Sequence, residues 1–298
     1  MRRHRRGLLV LVGALVLGLI AGCADNAPRP ATPAAPPPSQ SSPAPAPSAP
    51  APSPGPLPRY QSVPELDQAL TDRLHTDRTV RFTNDSAMGR QPGLALTGNG
   101  ELGYDYDGFR MHSHQQVRTA DSAPTDLWVV MVPGVSYLRA PPEMLKVPPS
   151  TPWIGVVPGA DNDSARAFGP LLDLIRQSVD PTLLFSPYGP AITLVSANPE
   201  PLDSIPTMHY LVRLDVPRGA TEAPLVSVRQ LLARLQQSGT TSIDTQVWLD
   251  ATDHLVQVEL ATPAGSTQIT TLTSRVRYRD WGRPVTFAAP PAEQVVGR

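Results

Sequence analysis

Between residues 60 and 298, apolar residues recur mainly at every second position, the period of a β-strand with one buried face. The alternation predicts strands at residues 79–83, 94–106, 109–118, 127–132, 135–139, 207–216, 245–250, 255–261 and 267–278. Most neighbouring pairs of these segments are joined by short turns. The pattern therefore predicts a series of antiparallel hairpins.

Helical periodicity interrupts the strands in a few places. Ser62 with Glu65 three positions later is a capping-box signature, which predicts a helix through about His75. Residues 164–179 carry apolar residues at helical spacing, and Asp180-Pro181 ends that helix. A third helix is predicted at 227–237, closed by Gly239, and a short apolar piece at 191–197 is also interpreted as helix.

Strands in hairpins, interrupted by helices but without a repeating β-α-β unit, indicate an α+β fold. We expect a curved antiparallel β-sheet with helices packed on one face, formed by residues 60–298 as a single domain. About 240 residues are enough to bury a substantial core.

The turn at Asp107-Gly108 allows one hairpin to be predicted in register, because this dipeptide favours a two-residue type I′ loop. That loop places Tyr106 opposite Phe109, Asp105 opposite Arg110, Tyr104 opposite Met111 and Glu101 opposite His114. One face then carries Leu102, Tyr104, Tyr106, Phe109 and Met111. The other face carries Glu101, Asp105, Arg110, His112 and His114.

The predicted strand 207–216 repeats this division between an apolar and a polar face. Its apolar positions are Met208, Tyr210, Val212, Leu214 and Val216, and they alternate with the polar residues His209, Arg213 and Asp215. The sheet therefore has one apolar face, which the helices must cover.

The N-terminus has the organisation of a lipoprotein signal peptide, predicted to span residues 1–22. Four arginines precede about 13 uncharged residues, too few to span a bilayer. The sequence Ile20-Ala21-Gly22-Cys23 follows and resembles the lipobox of bacterial lipoproteins. Cys23 is the only cysteine in the chain, so we expect it to carry diacylglycerol and anchor an exported protein to the outer face of the cell membrane.

Residues 23–59 are predicted to form a disordered tether. Residues 24–58 hold 14 prolines and no aromatic residue, so neither a helix nor a strand ladder is favoured. Removal of residues 1–22 would take away four arginines and change the formal net charge from −1 to −5. A mildly acidic chain offers no attraction to nucleic acid.

Known catalytic and cofactor motifs are not found in the sequence: there is no nucleophile elbow, P-loop or dinucleotide fingerprint. His112 and His114 share a strand face with Glu101, as a zinc site would require, but Arg110 lies on the same face and a polar surface strand explains the pattern. We therefore expect a protein that is not an enzyme and that holds neither a metal nor a cofactor.

Short motifs in the C-terminal third resemble a known family. They are Thr245-Gln-Val-Trp-Leu-Asp250, Tyr278-Arg-Asp-Trp-Gly-Arg-Pro-Val285 and Pro290-Pro291. The chain resembles the actinobacterial lipoprotein carriers of the LppX/LprA/LprF/LprG type, whose fold is similar to that of the periplasmic carrier LolA. The resemblance extends over most of residues 60–292.

The resemblance implies a half-barrel whose concave apolar face, with the helices, encloses a cavity for acylated lipid or glycolipid. It implies a protein that holds lipid or transfers it across the cell envelope. We also expect a monomer, with an envelope lipid exporter as a candidate partner. Candidate lining residues are Leu102, Tyr104, Tyr106, Met111, Leu172, Ile175, Met208 and Tyr210. The alternative is a tethered interaction module with a closed core, which partners a transporter or sensor, because alternation alone fits a packed core equally well.

Overall fold

The computed structural model describes residues 56–89, 94–119, 123–237, 239–261 and 271–296. The chain divides into two units, residues 1–53 and 54–298, and every described residue belongs to the second. Cys23, the predicted signal peptide and most of the predicted tether lie outside the described residues, as do residues 267–270 of the last predicted strand.

Helices and strands alternate along this unit much as the sequence predicts. In chain order they are α1 (Val63–Asp77), β1 (Thr79–Gly89), β2 (Leu94–Asp105), β3 (Gly108–Arg118), β4 (Thr125–Val132), β5 (Val135–Arg139), α2 (Pro142–Leu145), β6 (Trp153–Val156), α3 (Asp163–Val179), β7 (Ile192–Pro199), β8 (Thr207–Asp215), α4 (Val216–Glu222), α5 (Val226–Gln237), β9 (Ser242–Asp250), β10 (Leu255–Ala261), β11 (Thr271–Arg279) and β12 (Val295–Val296). Short 3-10 helices occupy Pro181–Leu183, Ser186–Ala191 and Ala292–Gln294. Within the described residues, no helix is long and apolar enough to cross a bilayer.

In the described part of the chain, all twelve strands form one open, curved sheet in the order β12-β6-β5-β4-β3-β2-β1-β11-β10-β9-β8-β7. Every neighbouring pair is antiparallel except β12 and β6. The pairing of β1 with β11 joins the N-terminal and C-terminal halves of the sheet. The predicted fold class, an α+β fold with a curved antiparallel sheet and helices on its concave face, is confirmed.

One face of the sheet, called the inner face below, is apolar and packs against helices α1 and α3. The other face, called the outer face, carries charged side chains such as Arg213 and Asp215. On β8 the predicted alternation is confirmed, since Met208, Tyr210, Val212 and Leu214 are buried while Arg213 and Asp215 are exposed. Burial of this apolar face is the main source of stability.

Helix α1 begins where its capping signature predicts. The Ser62 side chain accepts a hydrogen bond from the Glu65 amide, and the Glu65 carboxylate accepts one from the Gln61 amide at 2.8 Å. Both bonds satisfy amides that the helix itself leaves unpaired. The chain enters α1 from a docked segment, because Tyr210 Oη donates to the Pro58 carbonyl at 2.7 Å and Leu57 packs against the core.

Replacing Ser62 with alanine is expected to lower the free energy of unfolding by about 1 kcal/mol, since the Glu65 amide then loses its acceptor. Urea denaturation followed by circular dichroism measures the change. Ser62→Asp keeps an acceptor at the cap and should lose less than half as much. Equal losses in the two variants would contradict the capping role.

The predicted helix at 191–197 is wrong, because residues 192–197 belong to β7 and Ala191 only ends the 3-10 helix before it. Ile192, Thr193 and Val195 are β-branched and lose side-chain freedom in a helix. Gly189, just before them, has a φ of 54° and interrupts the preceding 3-10 helix. Pairing with β8 satisfies the backbone of this edge strand, with a bulge between Leu194 and Ser196.

The predicted register of the β2–β3 hairpin is also wrong, by two residues. Asp105 pairs with Gly108, so the turn residues are Tyr106 and Asp107 instead of Asp107 and Gly108. Gly108 begins β3 with a φ of 129°, a value that suits glycine. Because the shift is even, the division into faces survives: Leu102 lies opposite Met111 instead of Ser113, and Leu102 and Met111 stay on the same face.

Candidate functional site

Six of the eight predicted lining residues meet in one hydrophobic cluster on the inner face. The sheet contributes Leu102, Met111, Met208 and Tyr210, and α3 contributes Leu172 and Ile175; each is at most 4% exposed. Tyr104 is half-buried and packs against the same cluster. The structure therefore brings these side chains together, and whether they contact a ligand stays a prediction.

Tyr106 does not belong to this set, which corrects the prediction made from the hairpin. It lies in the β2–β3 turn and is 97% exposed. The register shift removes it from the ladder, and its ring instead packs beneath the Arg78 guanidinium, 5.1 Å from the ring centroid. The apolar face ends at Tyr104, whose ring meets Phe109 edge-on at 5.7 Å.

Helix α3 covers part of the inner face, and its two halves differ in how far they are buried. Its N-terminus is capped by Asn162, whose side chain accepts a hydrogen bond from the Ala165 amide at 2.8 Å. Gly169 and Pro170 lie in the middle of the helix, and proline cannot donate the hydrogen bond expected at that position. The buried residues Leu172, Ile175 and Val179 all follow this break.

A cleft of about 220 Å³ lies beside the first half of α3. Its lining includes Val156, Val157, Ala165, Gly169 and Leu172. Val156 and Leu172 are also members of the buried cluster, so the floor of the cleft is the edge of the core. Leu172, a member of the predicted lining set, is among the residues that line this cleft.

At the opposite end of α3 the core contains a buried carboxylate, Asp180, whose side chain is 0% exposed. It accepts hydrogen bonds from Tyr104 Oη at 3.0 Å, from the Thr182 amide at 3.0 Å and from Arg176 Nε at 3.1 Å. The Arg176 guanidinium also lies 4.4 Å from the centre of the Phe109 ring. The charge is therefore paired and fully hydrogen-bonded, as a buried carboxylate must be.

The two tyrosines near Asp180 are held in their neutral form. Burial raises the pKa of Tyr104 well above its usual value, and the Asp180 carboxylate raises it further. Burial likewise raises the pKa of Tyr278, whose hydroxyl donates to the Val179 carbonyl at 2.9 Å. The apolar face thus ends at a rigid set of neutral hydroxyl donors around one anion.

The predicted polar face of the hairpin also forms, and His112 and His114 each have a protein partner there. His114 Nε2 lies 3.0 Å from Asp126, and His112 Nε2 accepts from the Ala288 amide at 3.3 Å. Among the described residues, no group of three or more histidine, cysteine, aspartate or glutamate side chains is arranged to hold a metal ion.

Asp180 was not predicted as a buried anion, although Asp-Pro at the end of an amphipathic helix predicts the helix stop correctly. Its partner Tyr104 comes from a strand 76 residues away. Local sequence spacing carries no signal for such a pair. A carboxylate directly after an apolar helical face is the only indication available.

Neither a family model nor a curated protein matches the sequence. Solved structures match it at low identity. A DUF1329 family protein from Desulfovibrio piger has 12% identity and a TM-score of 0.29 over 75% of this chain and 95% of its own. A LolA superfamily protein from Nitrosomonas europaea has 9% identity and a TM-score of 0.26 over 75% and 97%. The protein Rv2717c from M. tuberculosis has 14% identity and a TM-score of 0.20 over 71% and 98%.

Proposed function

We propose that this chain is an exported lipoprotein, anchored through Cys23, that binds an acyl chain of a lipid or glycolipid between the inner face and α3. The observation that carries the proposal is the cleft beside the first half of α3, whose floor is the buried apolar cluster. Holding such lipids, or transferring them across the cell envelope as the LppX/LprG-type carriers do, is the corresponding role. The sequence resemblance to those carriers supports it.

Energetics favour such a ligand. Burial of about 14 methylene groups contributes roughly 10 kcal/mol before the cost of ordering the ligand. The cleft volume of 220 Å³ is smaller than the roughly 300–1,000 Å³ of typical ligand sites. Uptake of an acyl chain therefore requires the first half of α3 to move away from the sheet.

The break at Gly169-Pro170 permits that movement. In a helix interior, a glycine lowers helix stability by about 1 kcal/mol and a proline by about 3 kcal/mol relative to alanine. The proline also removes one backbone hydrogen bond of the helix. A Cβ added at Gly169 would meet no atom within 4 Å, so packing does not require glycine at this position. The second half of α3 stays anchored by its buried residues while the first half is only partly buried.

Filling the cleft tests the proposal. Ala165→Trp is expected to slow the uptake of a fluorescent fatty-acyl probe by the full chain about tenfold, equivalent to about 1.4 kcal/mol in the barrier. Leu174→Trp is the matched control, because it places the same side chain on the exposed side of the same helix. Stopped-flow fluorescence measures both rates.

Native mass spectrometry of the full chain purified from its own host supplies the second measurement, and we expect a bound lipid. Probe uptake that is equal in the two tryptophan variants would contradict the cleft as the route. Absence of uptake by the unmodified chain, together with ligand-free mass spectra, would contradict lipid binding altogether.

The second candidate is an interaction module with a closed core that partners a transporter or sensor. The observation in its favour is the low exposure of the six clustered side chains, at most 4% each. It predicts no probe uptake and no bound lipid. The two measurements above therefore separate the two functions.

A further inference from the structure

A second site lies on the outer face, away from α1 and α3. Two depressions of about 510 and 470 Å³ lie side by side there, and Asn99 and His114 line both. Together they form one depression, called the outer groove below, that runs from β11 across β1, β2, β3 and β4 to Trp153 on β6. At about 4.8 Å between strands, six steps across the sheet give a length of about 29 Å. That length suits a linear polymer better than a compact ligand.

The C-terminal segment after β11 lies beside the outer groove and contacts one of its lining residues, His112. Residues 280–291 lead from β11 across the outer face toward β12, and Phe287 packs on Gly103 of β2. A Cβ at Gly103 would lie 2.5 Å from the Phe287 ring, so a larger residue at this position would displace the ring. The Ala288 amide then donates to His112, which lines the groove, at 3.3 Å.

The charges along the outer groove balance one another. Its arginines are Arg81, Arg275, Arg277 and Arg279, and the described carboxylates that line it or pair with these arginines are Asp85, Glu101, Asp203, Glu259 and Asp280. Arg81 lies between Glu101 at 3.0 Å and Asp280 at 3.6 Å. With Arg139 at one end of the groove, five guanidinium groups lie among five carboxylates, and they create no net positive field for a polyanion. The guanidinium groups still present many hydrogen-bond donors, and the carboxylates present many acceptors.

Flat side chains from neighbouring strands form a stacked row at one end of the groove. His114 stacks on Trp128 with ring centroids 5.0 Å apart and planes inclined by 22°. The Arg139 guanidinium lies 5.0 Å from the centre of the Trp128 ring. Trp153 comes next in register, opposite Arg139 on β5. The row offers ring edges and apolar C–H surface beside the polar groups.

We propose that the outer groove binds an uncharged polysaccharide chain. Such a chain carries hydroxyl groups that pair with amide, carboxylate and guanidinium groups, and C–H faces that pack against aromatic rings. The balanced charges disfavour a polyanion, and the density of polar groups disfavours an acyl chain. This site is separate from the one proposed for lipid, and its test does not depend on lipid binding.

Isothermal titration of the full chain with soluble neutral polysaccharides (an α-glucan, a mannan, a galactan and an arabinan) tests the proposal. We expect at least one to bind, with an affinity that changes less than about twofold between about 0.05 and 0.5 M salt. Trp128→Ala and Arg81→Gln should each weaken this binding at least tenfold. Arg213→Gln is the matched control, since Arg213 forms a similar outer-face ion pair, with Asp244 on β9, outside the groove.

Circular dichroism identifies any variant that fails to fold, in which case the other variant decides the result. Both groove variants should take up the acyl probe at the unmodified rate. Failure of every neutral polysaccharide to bind would overturn the proposal. Strong binding to a polyanion such as polyglutamate that is lost at high salt, or equal weakening in Arg213→Gln, would also overturn it.

Discussion

Replacement of Asp180 by alanine is expected to lower the free energy of unfolding by about 3–5 kcal/mol. The side chain is 0% exposed and accepts hydrogen bonds from three residues on three different elements, β2, α3 and the 3-10 helix after α3. Its removal leaves the Tyr104 hydroxyl buried without an acceptor and Arg176 without its carboxylate. A buried polar group that loses its only partner costs much of its desolvation free energy.

Asp180→Asn separates charge from hydrogen bonding. It keeps an oxygen that can accept from Tyr104 and Thr182, so we expect a loss less than half as large as that of the alanine variant. Asp161→Ala removes a carboxylate that is 95% exposed and should change stability by less than about 0.5 kcal/mol. Urea unfolding monitored by near-ultraviolet circular dichroism measures all three. A loss at Asp180→Ala as small as that at Asp161→Ala would contradict a structural role for the buried carboxylate.

The fold class was predictable because alternation along each strand reports burial directly. On β8 every second residue is buried, and on β2 and β3 the same rule places Leu102 and Met111 together. A sheet with one apolar face needs helices on that face and nowhere else. The apolar half of the candidate site followed from the same reasoning.

The exact position of turns and the type of short elements could not be predicted from the alternation. The Asp107-Gly108 dipeptide indicates a turn, but the sequence does not tell whether glycine occupies the turn or the first position of the strand. Gly108 is the first residue of strand β3, and Tyr106 therefore lies in solvent instead of on the apolar face. The predicted helix at 191–197 failed for a similar reason, since a short apolar run fits either element until its partner strand is known.

Contacts between distant segments could not be predicted from spacing at all. Asp180 contacts Tyr104 across 76 residues, and Ala288 contacts His112, which lines the outer groove, across 176 residues. The stacked row of His114, Trp128 and Arg139 exists only because three strands align in one register. Taken alone, none of these three residues is distinguished in the sequence from an ordinary surface residue.

His254 joins two elements in the same long-range manner, and its replacement by alanine is expected to lower the free energy of unfolding at neutral pH by about 2 kcal/mol. The ring lies between two carboxylates, with Nε2 2.9 Å from Asp77 and Nδ1 3.2 Å from Asp250. It stacks on Trp281 with centroids 5.4 Å apart. Asp77 ends α1 and Asp250 ends β9, so the imidazole fastens a covering helix to the sheet.

This cluster also determines how stability changes in acid. Burial raises the pKa of Asp250, but hydrogen bonds from His254 and Thr252 outweigh it and lower the pKa to about 2. Burial likewise raises the pKa of Asp77, and the opposing bonds and charges of Arg73 and His254 lower it overall. Both groups therefore contribute stability that is complete above their unfolded pKa of about 3.9 and is lost as pH falls toward 2. Solvent screening of these partly exposed groups reduces the Asp250 contribution to about 1–2 kcal/mol.

In His254→Ala the pKa of Asp250 should return toward its ordinary value. The variant should therefore lose less stability than the unmodified chain when the pH falls by about three units, from about 5 to about 2. Urea midpoints measured across this range test the expectation. His114→Ala is the matched control, because it removes an exposed histidine–aspartate pair within the sheet and should cost less than about 1 kcal/mol. If stability falls with pH in parallel in His254→Ala and in the unmodified chain, His254 does not hold the Asp250 carboxylate in its charged form. If His254→Ala loses no more stability than His114→Ala, the ring does not link α1 to the sheet.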